Sequence, residues 1–236
     1  MSRAQEELTT QDLLQGYLEL YHHGLSHVKP MAFGCAIQLG IPTAIHRHGG
    51  AATISDLATD TGVDPSKLQY LRRLMRVLTV SGIFAADHPP SSPSTGENET
   101  VYKLTPASRL LVGGEVLTTT SCDMSPMMRL LVRPTTSVST FFSLEEWLKA
   151  DGTASLFETA HGMSPWMMTK NDDVYNEMLN EACAADSNFA MDTVLKDAGV
   201  AKIFSGLGSL VDVGGGHGAA AVAIARAFPH IQFRLW

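Results

Sequence analysis

Residues 209–218, SLVDVGGGHG, constrain the fold more than any other stretch of this chain. Ser209 to Val213 form a short apolar run that reads as a strand, and AAAVAIARAFPH behind the glycines reads as a helix. Glycines between a strand and a helix let the backbone turn sharply and come close to a ligand, because no Cβ stands in the way. The first N–H groups of the following helix have no partner within it, so they are offered to a polar or anionic group. Gly214, Gly216 and Gly218 give G-x-G-x-G where dinucleotide turns have G-x-G-x-x-G. This spacing favours a methyl-donor nucleoside over a nicotinamide dinucleotide. Asp212, at the end of the strand, is expected to accept from the turn's backbone or to orient a water. The plainer alternative is a tight glycine turn of any parallel α/β sheet. IQFRL begins a second strand, so residues 207–236 read as one strand–helix–strand unit.

Everything upstream reads differently. Leu13, Leu14, Tyr17, Leu18, Tyr21, Leu25 and Val28 draw one apolar helix face behind the capping hydroxyls of Thr9 and Thr10, with Pro30 ending or bending the helix. MAFGCAIQLGIPTAIHRHGG is apolar nearly all round, which predicts burial from every side and a second subunit to supply it. Thr53 with Asp56 caps a helix that stops at Gly62. Asp64 and Pro65 start the next one, in which Leu68, Leu71, Leu74, Met75 and Leu78 repeat at helical spacing until Ser81–Gly82. Ile83–Phe84 and Val101 to Leu104 then flank a Pro/Ser/Gly-rich loop, so a helix-turn-helix is followed by a hairpin in a winged-helix arrangement. Three segments result: 1–120, helical and winged-helix-like; 121–206, an all-helical connector; and 207–236, the start of an α/β domain.

Composition narrows the function classes. Seventeen basic against twenty-four acidic residues leave a net charge of −7, so no general positive field gathers phosphates, and nucleic acid is not an expected partner. Lys67, Arg72, Arg73 and Arg76 on the second helix of the pair invite a DNA-reading alternative, against which a solvated or salt-bridged face is preferred. No apolar run reaches the ~20 residues of a membrane span, and the polar N-terminus does not resemble a signal peptide; the expectation is a cytoplasmic protein with no membrane partner. Cys35, Cys122 and Cys183 lack metal-ligand spacing and read as free buried thiols, and the nine histidines show no metal arrangement.

LVDVGGGHG, with VKPMAFGCAIQLGIPTAIHRHGG and ISDLATDTGVDPSKLQYLRRLMRVLTVSGIF upstream in the same order, resembles the plant small-molecule O-methyltransferases that act on phenolic hydroxyls, including caffeate, flavonoid and N-acetylserotonin enzymes. The resemblance runs from about Leu13 to the end. It implies a mainly α, winged-helix-like N-terminal domain that forms a homodimer, followed by a Rossmann-like α/β methyltransferase domain, incomplete here. It also implies S-adenosylmethionine as cofactor and the hydroxyl of a small aromatic metabolite as substrate. Gly214 falls where the family's glycine meets the cofactor, and Asp212, Gly216 and Gly218 are the other motif members.

Further implications follow residue by residue. Tyr175, Leu179, Cys183 and Asp186, at i, i+4, i+8 and i+11 of one helix, fall along the acceptor pocket's wall, with ordinary helix packing as the alternative. Asp186 stands where many members have a histidine. Met163, Trp166, Met167 and Met168 are candidates for an apolar floor under an aromatic ring, although core packing is the simpler reading. The family's ribose-binding Asp would fall just after Trp236 and its general-base histidine later still, so no catalytic residue is assigned. The expectation is a truncated member with weak or no activity, whose uncovered last ~30 residues exchange hydrogens rapidly. Rival expectations are a non-catalytic dimerisation module and a winged-helix DNA-binding regulator.

Overall fold

The computed structural model describes residues 8–88, 99–113 and 123–235. The expected loop around Pro89–Ser94, Cys122, the 120/121 boundary and Trp236 lie outside the described residues.

Helix α1 (Thr10–Leu25) starts from a capping box: the Asp12 N–H donates to the Thr9 hydroxyl, and the Thr9 N–H donates to the Asp12 carboxylate at 2.8 Å. Its apolar face is where the sequence puts it, yet none of its residues is buried. The chain breaks at Ser26–His27, and Pro30 sits in the first turn of α2 (Val28–Gln38). Pro30 offers no N–H to the Ser26 carbonyl and its ring crowds it, so the helix is interrupted there and resumes, as expected of a proline that ends or bends a helix. Ala32, Gly34, Ala36 and Ile37 of α2 are buried, whereas Met31, Cys35 and Gln38 are exposed, so α2 is buried on one side only.

Helix α3 (Ile41–Arg47) leads into β1 (Ala51–Thr53) and α4 (Ile54–Thr61). The expected Thr53/Asp56 box caps α4, with the Thr53 N–H donating to Asp56 at 2.9 Å. After a 3-10 turn at Pro65–Lys67 comes α5 (Leu68–Val80), then the hairpin β2 (Phe84–Asp87) and β3 (Val101–Leu104). The sheet order is β1-β3-β2, antiparallel throughout, with Ala52 opposite Tyr102 and Phe84 opposite Leu104. The core between sheet and helices is made by Ile41, Ile45, Ile54, Leu57, Met75, Leu78 and Phe84, each at most 1% exposed. These side chains fix the angle between the helix pair and the hairpin.

The middle of the chain is helical: α6 (Pro106–Arg109), α7 (Ser125–Leu131), α8 (Leu144–Lys149), α9 (Leu156–His161), α10 (Pro165–Asn171), α11 (Asp173–Val194) and α12 (Ala198–Ser205). Twenty-two residues long, α11 packs against α7 and α10. Helix α7 in turn meets α2, so closely that a Cβ on Gly34 would lie 2.8 Å from Val132 Cγ2. That contact ties the N-terminal unit to the helical middle.

Strands β4 (Ser209–Asp212) and β5 (Gln232–Leu235) are parallel and joined by α13 (Ala219–Ala227), with Leu210 opposite Phe233. A parallel pair needs such a crossover. Ala221, Ile224 and Ile231 are buried beneath it, and α13 rests on α11. Val211, Val213 and Val222 are exposed, so this unit has an uncovered apolar side among the described residues.

Candidate functional site

The glycine turn leaves β4 and comes back as α13. Gly214 and Gly216 have φ of +73° and +56°, left-handed values that a side chain would strain, and Gly218 (φ +75°) precedes the first residue of α13. Between them Gly215 has an ordinary φ, but a Cβ there would lie 2.0 Å from Asp212 Oδ2 and 2.4 Å from its Cγ. The Asp212 carboxylate is thus folded under the turn. Its Oδ2 is buried and has no hydrogen-bond partner. The expectation that Asp212 accepts from the turn's backbone is therefore not met for this oxygen; the turn is closed by the Gly218 N–H donating to the Gly215 carbonyl at 2.8 Å. A buried carboxylate oxygen without a donor in the chain is costly, and a water or a ligand group supplies the kind of donor that satisfies it.

Above the turn lies a cavity of about 260 Å³. One wall is the backbone of Gly214 to Gly216 with His217, Ala219 and Ala220. The other is α11, through Leu179, Asn180, Cys183, Ala184 and Ser187, with Trp166 of α10 at the rim. The sequence-expected Gly214, Gly216, Leu179, Cys183 and Trp166 thus meet in one place. Gly218 is buried and serves the helix start instead.

Three candidates lie elsewhere. Tyr175 is 5% exposed and not in the cavity wall; burial raises its phenol above the ordinary value, with Arg133 opposing. Asp186 is exposed and does not line the cavity. Helix geometry explains both: at about 100° per residue the five lining residues of α11 centre roughly 110° round the helix from Tyr175, while Asp186 returns to within about 20° of it. Met163 is half-buried, with its sulfur 3.8 Å from Asn171 Nδ2. Of the four proposed floor residues only Trp166 lines the cavity, and Trp166 and Met167 are 72% and 48% exposed. Cys35 and Cys183 are exposed, which corrects the reading of buried thiols.

Asn180, Ala184 and Ser187 line the cavity and were missed by sequence reasoning. Their signal was the run of small residues on α11 opposite Ala219 and Ala220 of α13: small side chains let a helix approach glycine backbone. His217 lines the cavity from the exposed surface. His161 is structural, its Nε2 3.0 Å from Thr140 Oγ1 and 3.2 Å from the Thr136 carbonyl, its ring against Phe157. Among the described residues no His, Cys, Asp and Glu cluster has the makings of a metal site.

Residues 21–114 match the family model of the O-methyltransferase dimerisation domain, and residues 141–236 that of the O-methyltransferase domain. The chain belongs to the plant-type O-methyltransferase family. Acetylserotonin O-methyltransferase 1 of Oryza sativa subsp. japonica is 46% identical over 230 residues, 97% of this chain and 60% of that protein. 5-Pentadecatrienyl resorcinol O-methyltransferase of Sorghum bicolor is 41% identical over 231 residues, 94% of this chain and 61% of that protein. The chain spans about 60% of the length of these relatives. In fold it is similar to human N-acetylserotonin methyltransferase in complex with SAM, at a TM-score of 0.72 and 14% identity, covering all of this chain and 60% of that one.

Proposed function

We propose that this O-methyltransferase-family chain takes part in S-adenosylmethionine-dependent methylation of a hydroxyl on a small aromatic metabolite, and that the cavity between α11 and the glycine turn receives the cofactor. The observation that carries this reading is the junction of bare glycine backbone and a small-residue helix face above a buried, donorless Asp212 oxygen. The residues fit the cofactor. Backbone at Gly214 and Gly216 has no Cβ to hold a nucleoside away. Leu179, Cys183 and Trp166 supply an apolar side. When bound, S-adenosylmethionine supplies a methyl group activated by its sulfonium. The chain's part is to hold the donor in place and limit water around it, since transfer depends on alignment.

The test is isothermal titration of the chain with S-adenosylmethionine, beside methyl-transfer assays on a panel of hydroxylated aromatics that includes N-acetylserotonin. Saturable binding, weakened at least tenfold by Gly216→Val, is expected. No saturable binding, or equal binding by the variant, contradicts the cavity assignment.

A homodimer is part of the same proposal, and α1 supports it. Leu13, Leu14, Tyr17, Leu18, Tyr21 and Leu25 are all more than half exposed on one helix. Such a face is uncommon on a lone chain and is covered most simply by a second copy. Sedimentation analysis of a Leu14→Glu/Leu18→Glu variant checks it: the variant is expected to be monomeric, and an unchanged dimer, or a monomeric parent chain, removes the role of α1.

A further inference from the structure

The N-terminal unit holds a second cavity, about 470 Å³, between α5 and the β2–β3 hairpin. Arg72 and Arg76 stand on one side, one helical turn apart, with Thr79 and Val80 beyond them; Ala86, His88 and Tyr102 of the hairpin form the other side. The charges here are unevenly used. Lys67 and Arg73, the other cations of α5 and the turn before it, lie 5.5 and 5.6 Å from the Tyr70 ring centre. Arg72 forms an ion pair with the Glu99 carboxylate at 3.8 Å, beyond hydrogen-bond distance, and Glu99 also accepts from the Ser55 hydroxyl. Arg76 has no carboxylate partner among the described residues, in a protein of net charge −7.

The polar groups between the two arginines and the hairpin point the same way. The Thr79 hydroxyl oxygen is buried and makes no hydrogen bond, not even the usual one to a carbonyl in the preceding turn. The His88 ring is fixed by Nδ1 at 3.1 Å from Thr100 Oγ1, leaving Nε2 for another partner. Tyr102 is 6% exposed, and burial raises its phenol above the ordinary value, with Arg72 opposing. Arg72, Arg76, Thr79 and His88 thus line one concave space that is also lined by Val80 and Ala86.

We propose that this cavity is a second binding site, distinct from the glycine-turn cavity, for a small organic anion. Its carboxylate or phosphate head lies against Arg72 and Arg76, and its apolar body lies against Val80 and Ala86. Planar guanidinium groups suit such oxyanions because they donate two parallel bonds at once. A small anion fits better than a nucleic-acid backbone, since Lys67 and Arg73 are engaged with Tyr70 and the overall field is repulsive.

The experiment is an NMR titration of the full chain with inorganic phosphate and, separately, with benzoate, following His88, Tyr102 and Val80. Saturable shifts at these residues are expected with at least one probe, weakened tenfold or more by Arg76→Gln and by Arg72→Gln and less by Arg76→Lys, which keeps the charge but loses the paired donors. Both arginines are exposed, so thermal melts of the probe-free variants are expected to match the parent. Failure of both probes to saturate, or equal binding by the glutamine variants, overturns the proposal. Binding of duplex DNA at low salt that these variants abolish overturns it in favour of a nucleic-acid face.

Discussion

Gly215→Ala isolates the contact on which the glycine turn depends. Its φ lies outside the left-handed region, so alanine meets no backbone penalty there, and the whole effect comes from the Asp212 carboxyl group that the new Cβ would meet at 2.0 to 2.6 Å. An ordinary van der Waals separation is about 3.5 Å, so the carboxyl group must move by more than 1 Å. Aspartate has one torsion near the backbone with which to do this. Overpacking of this kind costs about 1–3 kcal/mol. For a chain of this size, that lowers Tm by roughly 2–12 °C. The assay is a double-mutant cycle by thermal and urea unfolding. In an Asp212→Ala background the obstacle is gone, and Gly215→Ala is expected to cost less than about 0.5 kcal/mol. Equal losses of Tm in the two backgrounds would refute the claim that Asp212 is folded beneath the turn.

Other predictions follow from the same kind of contact. Gly34→Ala places a Cβ 2.8 Å from Val132 Cγ2 and is expected to destabilise the α2–α7 junction by about 1 kcal/mol, with Val132→Ala restoring most of the loss in urea unfolding. Leu57→Ala, at a fully buried position, is expected to cost about 2–5 kcal/mol in the same assay. The Thr53 backbone and hydroxyl hold the Asp56 carboxyl below the usual carboxylate range. A depressed folded-state pKa contributes stability that is complete above the unfolded value, about 3.9, and disappears as pH falls through the folded value. Thr53→Ala keeps the N–H bond and removes the hydroxyl one, so it should raise the Asp56 pKa part of the way toward normal in an NMR titration; an unchanged Asp56 pKa would remove the hydroxyl's share in the cap.

Local rules made the helix starts and the turn legible. Thr53, Thr9 and Asp64 announce helix starts because their side chains compete for nearby N–H groups, a fact written in four residues of sequence. SLVDVGGGHG announces a strand, a turn and a helix for the same local reason. Strand β1 was not legible: Ala51–Ala52–Thr53 has little strand preference, and it exists because β3 offers it an edge. The interruption before Pro30 was legible for a local reason too, since proline lacks the N–H that the carbonyl four residues earlier needs. On α11 the stripe was visible but its azimuth was not. Which side of the stripe meets the glycines depends on how α7, α10 and α13 pack round the helix, and that tertiary choice moved Tyr175 and Asp186 out of the cavity while bringing in Asn180 and Ser187. The donorless Asp212 oxygen is likewise a property of packing that no pattern of residues declares.

The most direct test is a crystal structure of the chain grown with S-adenosylhomocysteine, which keeps the nucleoside and amino-acid parts of the cofactor without its reactive methyl. The expected density lies between Gly214–Gly216 and the Leu179–Cys183–Ser187 face. Density lodged elsewhere, or a different molecule held over the glycines, would contradict it.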